Sequence, residues 1–468
     1  MAVIPSRFPR PAVLGLALLL ATGAAGAQVF GQPDVDFKGS VRATAPVVLP
    51  GSETGIEGSG FTPGQKVTLQ RGDSVLNAQP YVADGEGRFR GTLRIPADAA
   101  IGAQPIVVRA SSPDAASIFA LKVSREVPLS GQERIQAASN RLVQGLYQVA
   151  YSPASKAAFV TSAVGRPPVK QSELLKVDPE TLQVLARVSP QAAPAPAAQP
   201  GQPAREGGVF AVYGVGVDDT HGNVWVTNTR QDTVAVYRQS DLSLVKQYPV
   251  GAVSHARDVV VDAQRNRAYV SATGADYVSV FDTRTLQQLD NITIASGKRG
   301  ETFTPGSLDI DTATGKVYTV SLAAAEAAII DGASGKVEKV FPLAGARDAI
   351  GVAWNPVAKR LLVVSQGSDN LLIVDPATAK VEHDVYVGAG SLNVSYSPST
   401  RLAYVSNRAA GTVTVVDEGG NIVANLDGGT YPNHVSKGPD AVMFAINKSK
   451  GADDVKGDRI TRLLPVQR

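Results

Sequence analysis

Eight side chains fall at two matching positions of an internal repeat, and they are types that bind ligands more readily than they perform chemistry: Tyr147, Gln148, Tyr213, Arg257, Asp258, Asn393, Asn433 and His434. Aligning seven units places Gln148, Gly214, Asp258, Ser307, Gly351, Asn393 and His434 immediately ahead of the first strand of each. One position earlier stand Tyr147, Tyr213, Arg257, Gly306, Ile350, Leu392 and Asn433. Two aromatic faces on successive units, with an arginine on the next, suit stacking against a base or sugar and charge-assisted contact with a phosphate. The plainer reading is that these polar groups only hydrate a channel.

Catalytic chemistry has less support. The four histidines, His221, His255, His383 and His434, show none of the close spacings of a chelating pair. Asp258, Asn393 and His434 are the residues a metal-dependent, lactonase-like hydrolase would have to use, and that alternative stays open. The chain has no cysteine, so it can form no disulfide, thiolate–metal site or thiol nucleophile. Phosphate-loop and nucleophile-elbow motifs are absent. Two tryptophans are too few for the recurrent docking of a quinoprotein propeller. No cofactor is expected. Arg71-Gly-Asp-Ser74 is a polar turn that coincides with an integrin-type tripeptide.

The elements that would position these residues are short strands. Ala158–Ser162, Val224–Asn228, Ala268–Ala272, Val317–Ser321, Leu361–Ser365, Ala403–Asn407 and Met443–Asn447 are seven copies of one strand. Most precede a Gly/Asp-rich turn and a third strand ending in Asp, such as Val278–Asp282, Leu371–Asp375 and Val413–Asp417. First strands are expected near Val149, Val215, Val259, Leu308, Val352, Val394 and Val435. The spacing matches a β-propeller with four strands per blade. The seventh unit runs out after three strands, and the segment near Arg134–Val143 is expected to supply its fourth, joining the chain ends.

The repeat resembles the YVTN-repeat β-propellers, and the blade set resembles the bacterial exported YncE-like group. Gly145-Leu-Tyr-Gln-Val-Ala-Tyr151 at the opening carries the resemblance, with Pro432-Asn-His-Val435, Lys448-Ser-Lys450 and Asp458-Arg-Ile460 at the close. It covers residues 130–466 or so. The resemblance implies a periplasmic protein with no established catalytic residues, and single-stranded DNA as one ligand to consider.

Before the repeats, residues 38–126 carry short alternating strands, about seven of them, separated by Thr62-Pro-Gly64 and Asp84-Gly-Glu-Gly87 turns. The run Gly58–Leu69 with Ala83–Phe89 resembles bacterial Ig-like domains. The expected fold is therefore all-β, a seven-bladed β-propeller over 130–468 with an N-terminal Ig-like β-sandwich. Residues 189–208 hold a Pro/Ala-rich insertion, expected to be a mobile loop on the face where the first strands begin.

Residues 1–27 read as a signal peptide, with Arg7 and Arg10 before the apolar Ala12–Ala21 and small residues at Ala25-Gly-Ala27. Export to the periplasm or beyond is expected. No later stretch is long and apolar enough to span a membrane. Without that segment the chain holds 43 basic against 42 acidic side chains, so composition does not support a generally basic surface. The expected role is a non-enzymatic binding or scaffold protein whose partner is a protein, a glycan or a small molecule, single-stranded DNA entering through the resemblance alone. A cell-surface or adhesion role led by the Ig-like domain is a further alternative.

Overall fold

The computed structural model describes residues 34–195 and 206–466. The signal-like segment 1–27 and the middle of the Pro/Ala-rich insertion lie outside these residues. Regular structure is almost wholly β, with two single 3₁₀ turns at Gln132–Arg134 and Thr229–Gln231.

Residues 40–123 form two sheets. Ser40–Ala43, Glu53–Ser59 and Phe89–Arg94 make one; Lys66–Arg71, Gly102–Ser111 and Ala115–Val123 make the other, with the short strands Ser74–Val75 and Tyr81–Val82 at its margin. Alternation is clean, as in Lys66–Arg71, where Val67 and Leu69 are buried between exposed or half-exposed neighbours. The inward residues, among them Ile56, Phe89, Leu93, Val67, Leu69 and Val108, share one core. There are eight strands where about seven were expected, because two of them span only two residues.

The rest of the chain forms seven four-stranded antiparallel sheets. Their innermost strands are Leu146–Ser152, Val215–Asp218, Ala256–Asp262, Pro305–Asp311, Ala349–Asn355, Ser391–Ser397 and Pro432–Lys437. Each lies beside the next, and the last lies beside the first, so the sheets close into a ring. The second strands are buried on both faces, which explains their continuous apolar runs. In Arg360–Ser365, Leu361 and Val363 pack towards the preceding sheet and Leu362 and Val364 towards the following one. All seven sheet-to-sheet junctions are filled by apolar clusters of this kind. Closure is by strand pairing: Ile135–Arg141 is antiparallel to Arg459–Pro465 and completes the last sheet.

Six of the seven inner strands begin three residues earlier than the repeat alignment places them. In each of these six a register shift, the mark of a β-bulge, falls near the start of the strand, as between Leu146 and Val149 or between Ala256 and Val259. A bulge inserts a residue and breaks the period-two pattern, so the alternation used to find the strand stops short of its true start. Gln148, Asp258, Asn393 and His434 therefore lie inside the bulged strands and not ahead of them.

A buried carboxylate of the ring anchors the sandwich. Asp369, in the loop between Arg360–Ser365 and Asn370–Asp375, is 2% exposed and accepts from Lys122 Nζ (2.6 Å), Ser124 Oγ (2.7 Å), Tyr386 OH (3.1 Å) and Gly390 N (2.7 Å). Tyr386 also accepts from Arg125 N, and the Arg125 guanidinium lies 5.4 Å from its ring centre. Asp369→Ala would strand the Lys122 ammonium without its counter-ion at a contact that holds the sandwich, a loss on the scale of about 3 kcal/mol. Faster tryptic cleavage at Arg125 is the expected result; cleavage at the wild-type rate would contradict it.

Candidate functional site

The ring's channel is entered where the bulged inner strands begin, and two layers of side chains occupy that mouth. The lower layer braces the sheets. Each inner strand turns a free edge to the channel, and its N–H groups need acceptors. Gln148 Oε1 accepts from Val215 N at 2.9 Å, Asp258 Oδ2 from Leu308 N at 3.0 Å and Asn393 Oδ1 from Val435 N at 2.8 Å. Asp309 Oδ2 accepts from Trp354 N at 2.7 Å, and His434 Nδ1 from Val149 N at 3.4 Å. Gln148 Nε2 donates to Asp258 Oδ1 at 3.2 Å. Each polar side chain thus reaches across to a neighbouring inner strand. Gly214 has none because there is no room: a Cβ there would sit 2.4 Å from the Arg257 carbonyl oxygen.

These commitments bear on the hydrolase alternative. Both Asp258 oxygens and the Asn393 oxygen already accept N–H groups, and burial pushes the Asp258 carboxyl above its ordinary range. Among the described residues no three His, Asp or Glu side chains gather as a metal site would require. His434 is half-buried on its inner strand. Burial, with the like-charged Arg257 nearby, lowers its pKa to about 3. The neutral ring accepts at Nδ1, so Nε2 carries the proton.

That shift has a consequence for acid stability. Between pH 6.5 and about 3 the unfolded chain binds a proton at His434 that the folded chain refuses, so stability contributed above pH 6.5 is lost as pH falls. His434→Gln should flatten the fall in melting temperature over that window. An unchanged slope in the variant would show that the imidazole is not the group responsible.

The upper layer is different in kind. Tyr147 and Tyr213 meet edge to face, with ring centres 4.9 Å apart at 86°. The Arg230 guanidinium lies beside the Tyr213 hydroxyl and partly offsets the rise that burial causes in its pKa. Lys448 Nζ donates to Ala163 O at 3.0 Å and lies 5.7 Å from the Tyr147 ring centre. Arg408 Nη1 donates to Asn433 Oδ1 at 2.5 Å, and Asn433 Nδ2 donates to Tyr147 O at 2.6 Å. The Arg408 guanidinium also lies 4.8 Å from the Tyr431 ring centre. Arg257 Nε is buried without a partner.

Arg230, Arg257, Arg408 and Lys448 form no ion pair with any carboxylate, although every Asp and Glu of the sequence lies in the described residues. Burial, with Arg408 and Arg230 close by, lowers the Lys448 pKa to about 8, and Asp458 opposes this only partly. Burial lowers that of Arg408 as well. Tyr147, Tyr213, Arg257 and Asn433 are thus gathered in one cationic and aromatic layer, with Gln148, Asp258, Asn393 and His434 beneath it.

The repeat alignment missed Arg230, Arg408 and Lys448. All three come just after a second strand, following Val224–Asn228, Ala403–Asn407 and Met443–Asn447. Lining up the residues after those strands, as well as those before the inner ones, would have found them. The stem of the Pro/Ala-rich insertion also reaches this mouth: Ala193 N donates to Gly208 O, and Val169, Ala211 and Val209 pack with Tyr147 and Tyr213. A groove of about 640 Å³ on the sandwich offers less, because the Arg42 and Arg90 guanidinia lining it already pair with Glu57 at 2.6 and 3.3 Å.

No family model matches the chain. Protein YncE of Salmonella typhi, itself described as uncharacterized, is 24% identical over 317 residues, which is 65% of this chain and 82% of the relative; that of Salmonella typhimurium matches equally. Among solved structures, a streptogramin B lyase has a TM-score of 0.54 at 11% identity, covering 72% of this chain and 100% of its own. The β-propeller domain of Swd1 from Myceliophteria thermophila has a TM-score of 0.52 at 12% identity over 71% of this chain and 99% of that one. A hydrazine synthase chain from Kuenenia stuttgartiensis has 0.53 at 17%, over 69% and 96%. Such identities speak for the fold alone: the chain is all-β, and its ring of sheets is a β-propeller similar to YncE.

Proposed function

We propose that this chain is an exported, periplasmic or secreted binding protein, a seven-bladed propeller with an Ig-like sandwich, that holds an anionic ligand at its channel mouth. One observation carries the reading: Arg230, Arg408 and Lys448 gather at the Tyr147–Tyr213 pair, with Arg257 beside His434, and none of the four forms an ion pair with a carboxylate. Like charges brought together in a partly buried site repel, and an anion relieves that repulsion. The concentration is local, since 43 basic side chains face 42 acidic ones once residues 1–27 are set aside.

Planar guanidinium groups suit carboxylate and phosphate oxygens, and the phenol faces suit a flat or apolar ligand body. An uncharged glycan would leave the cations unmatched. Export is supported by the pattern of residues 1–27. The test is isothermal titration of the mature protein with citrate, inorganic phosphate and a short single-stranded oligonucleotide at two salt concentrations. At least one should bind, and more weakly at higher salt. Silence from all three at low salt would remove the reading.

A further inference from the structure

We infer that Lys448 is a carbonyl-reactive amine, so that the mouth captures α-oxo carboxylates, with the ligand's carboxylate on Arg408 and Arg230 and its oxo carbon bonded to Lys448 Nζ as a reversible imine. The inference rests on the anion-binding reading above and names the ligand class for that site.

Lys448 differs from the other cations of the mouth in what its position permits. Its amine is held in place by the 3.0 Å bond to Ala163 O and lies over the Tyr147 ring. Two guanidinium groups, Arg408 and Arg230, press on it with like charge. Asp458 is the carboxylate that faces it: its Oδ1 accepts from Gly145 N at 2.7 Å and Ser449 N at 3.1 Å, its buried Oδ2 has no hydrogen-bond partner, and its charge opposes the shift without cancelling it.

The resulting pKa of about 8 makes the free amine on the order of a hundredfold more abundant near neutral pH than for an ordinary lysine. Near neutral pH the protonated form still predominates, so Lys448 serves as a cation while its neutral fraction can act as a nucleophile. Desolvation beside other cations is one way a lysine becomes a nucleophile towards carbonyls. While donating to Ala163 O, the neutral amine keeps a lone pair for the ligand.

The chemistry balances without an oxidant or reductant. The lone pair forms a C–N bond as the C=O π bond opens onto oxygen. A proton passes from nitrogen to that oxygen to give the carbinolamine. The C–O bond then breaks with release of one water, leaving C=N. The Tyr147 and Tyr213 rings lie at the same mouth, the Tyr147 ring centre 5.7 Å from Lys448 Nζ.

Reductive trapping tests this. Mature protein is incubated with 2-oxoglutarate and cyanoborohydride, and its peptides are mapped by mass. The reduced adduct should form at Lys448 with about tenfold preference over the neighbouring exposed Lys450, fall when citrate competes, and rise in rate as pH passes through 8. Lys448→Arg should abolish it. If titration shows that 2-oxoglutarate binds but no adduct forms at Lys448, or adducts spread evenly over the lysines, the imine is overturned and anion binding stands. If 2-oxoglutarate, citrate and phosphate all fail to bind, the anion reading falls and this inference falls with it.

Discussion

Arg408→Ala is expected to weaken citrate or phosphate binding by roughly tenfold to a hundredfold, the scale of about 1.5–3 kcal/mol for a hydrogen bond to a charged group. Two losses combine. One is a guanidinium that no carboxylate of the protein neutralises, so its charge is available to the ligand. The other is the 2.5 Å bond to Asn433, which in turn holds the Tyr147 carbonyl at 2.6 Å. Arg408→Lys separates the two, since it keeps charge but cannot reproduce the planar fork; its affinity should fall between wild type and alanine. The salt dependence should shallow in Arg408→Ala, because one fewer cation meets the ligand. Melting temperature should change little, since the side chain closes no sheet-to-sheet junction. Equal affinity in all three proteins would place the ligand somewhere other than this mouth.

The largest effect on stability should come from opening the ring. A chain beginning at Leu142 lacks Ile135–Arg141, so Arg459–Pro465 becomes an unpaired edge. It also loses Ile135 from the cluster with Leu463, Val413 and Val415 that joins the last two sheets. Such a chain is expected to aggregate, without cooperative melting, whereas one beginning at Pro128 should melt cooperatively as a monomer. In the full chain, Ile135→Ala tests the same junction more gently; Ile135 is 5% exposed, and the cost should be about 2–5 kcal/mol. If the chains beginning at Leu142 and Pro128 melt alike, the pairing of the chain ends is not what closes the ring.

These two expectations rest on information of different origin. The strand that closes the ring was legible in the sequence because the seventh unit counted three strands and Arg134–Val143 stood unused. The cation at the mouth was not legible. Only Arg257 was placed there by the repeat alignment; Arg408 was not singled out, Lys448 entered only through the Lys448-Ser-Lys450 resemblance, and a near-neutral composition argued against a generally basic surface. Asp369 was likewise invisible, since nothing in Ser368-Asp369-Asn370 announces four donors, two of them more than 240 residues earlier in the chain.

By itself the sequence determined the all-β class, the repeated four-stranded unit and the pairing of the chain ends. Those features depend on neighbours within one repeat, where a strand buried on both faces must be apolar and a tight turn must carry Gly, Asp or Asn. Tertiary structure alone decided which polar residues brace the sheets and which stand at the mouth without an ion pair. Gln148, Asp258, Asn393 and His434 were drawn into bracing because inner strands present unpaired N–H groups at the channel. Arg230, Arg408 and Lys448 join Arg257 in the proposed site because closure brings distant loops together, as where Lys448 meets Ala163 across 285 residues of chain. The positions after the second strands recur with the repeat, but the side chains at them do not, so which of those loops carry charge that meets at the mouth is decided by ring closure.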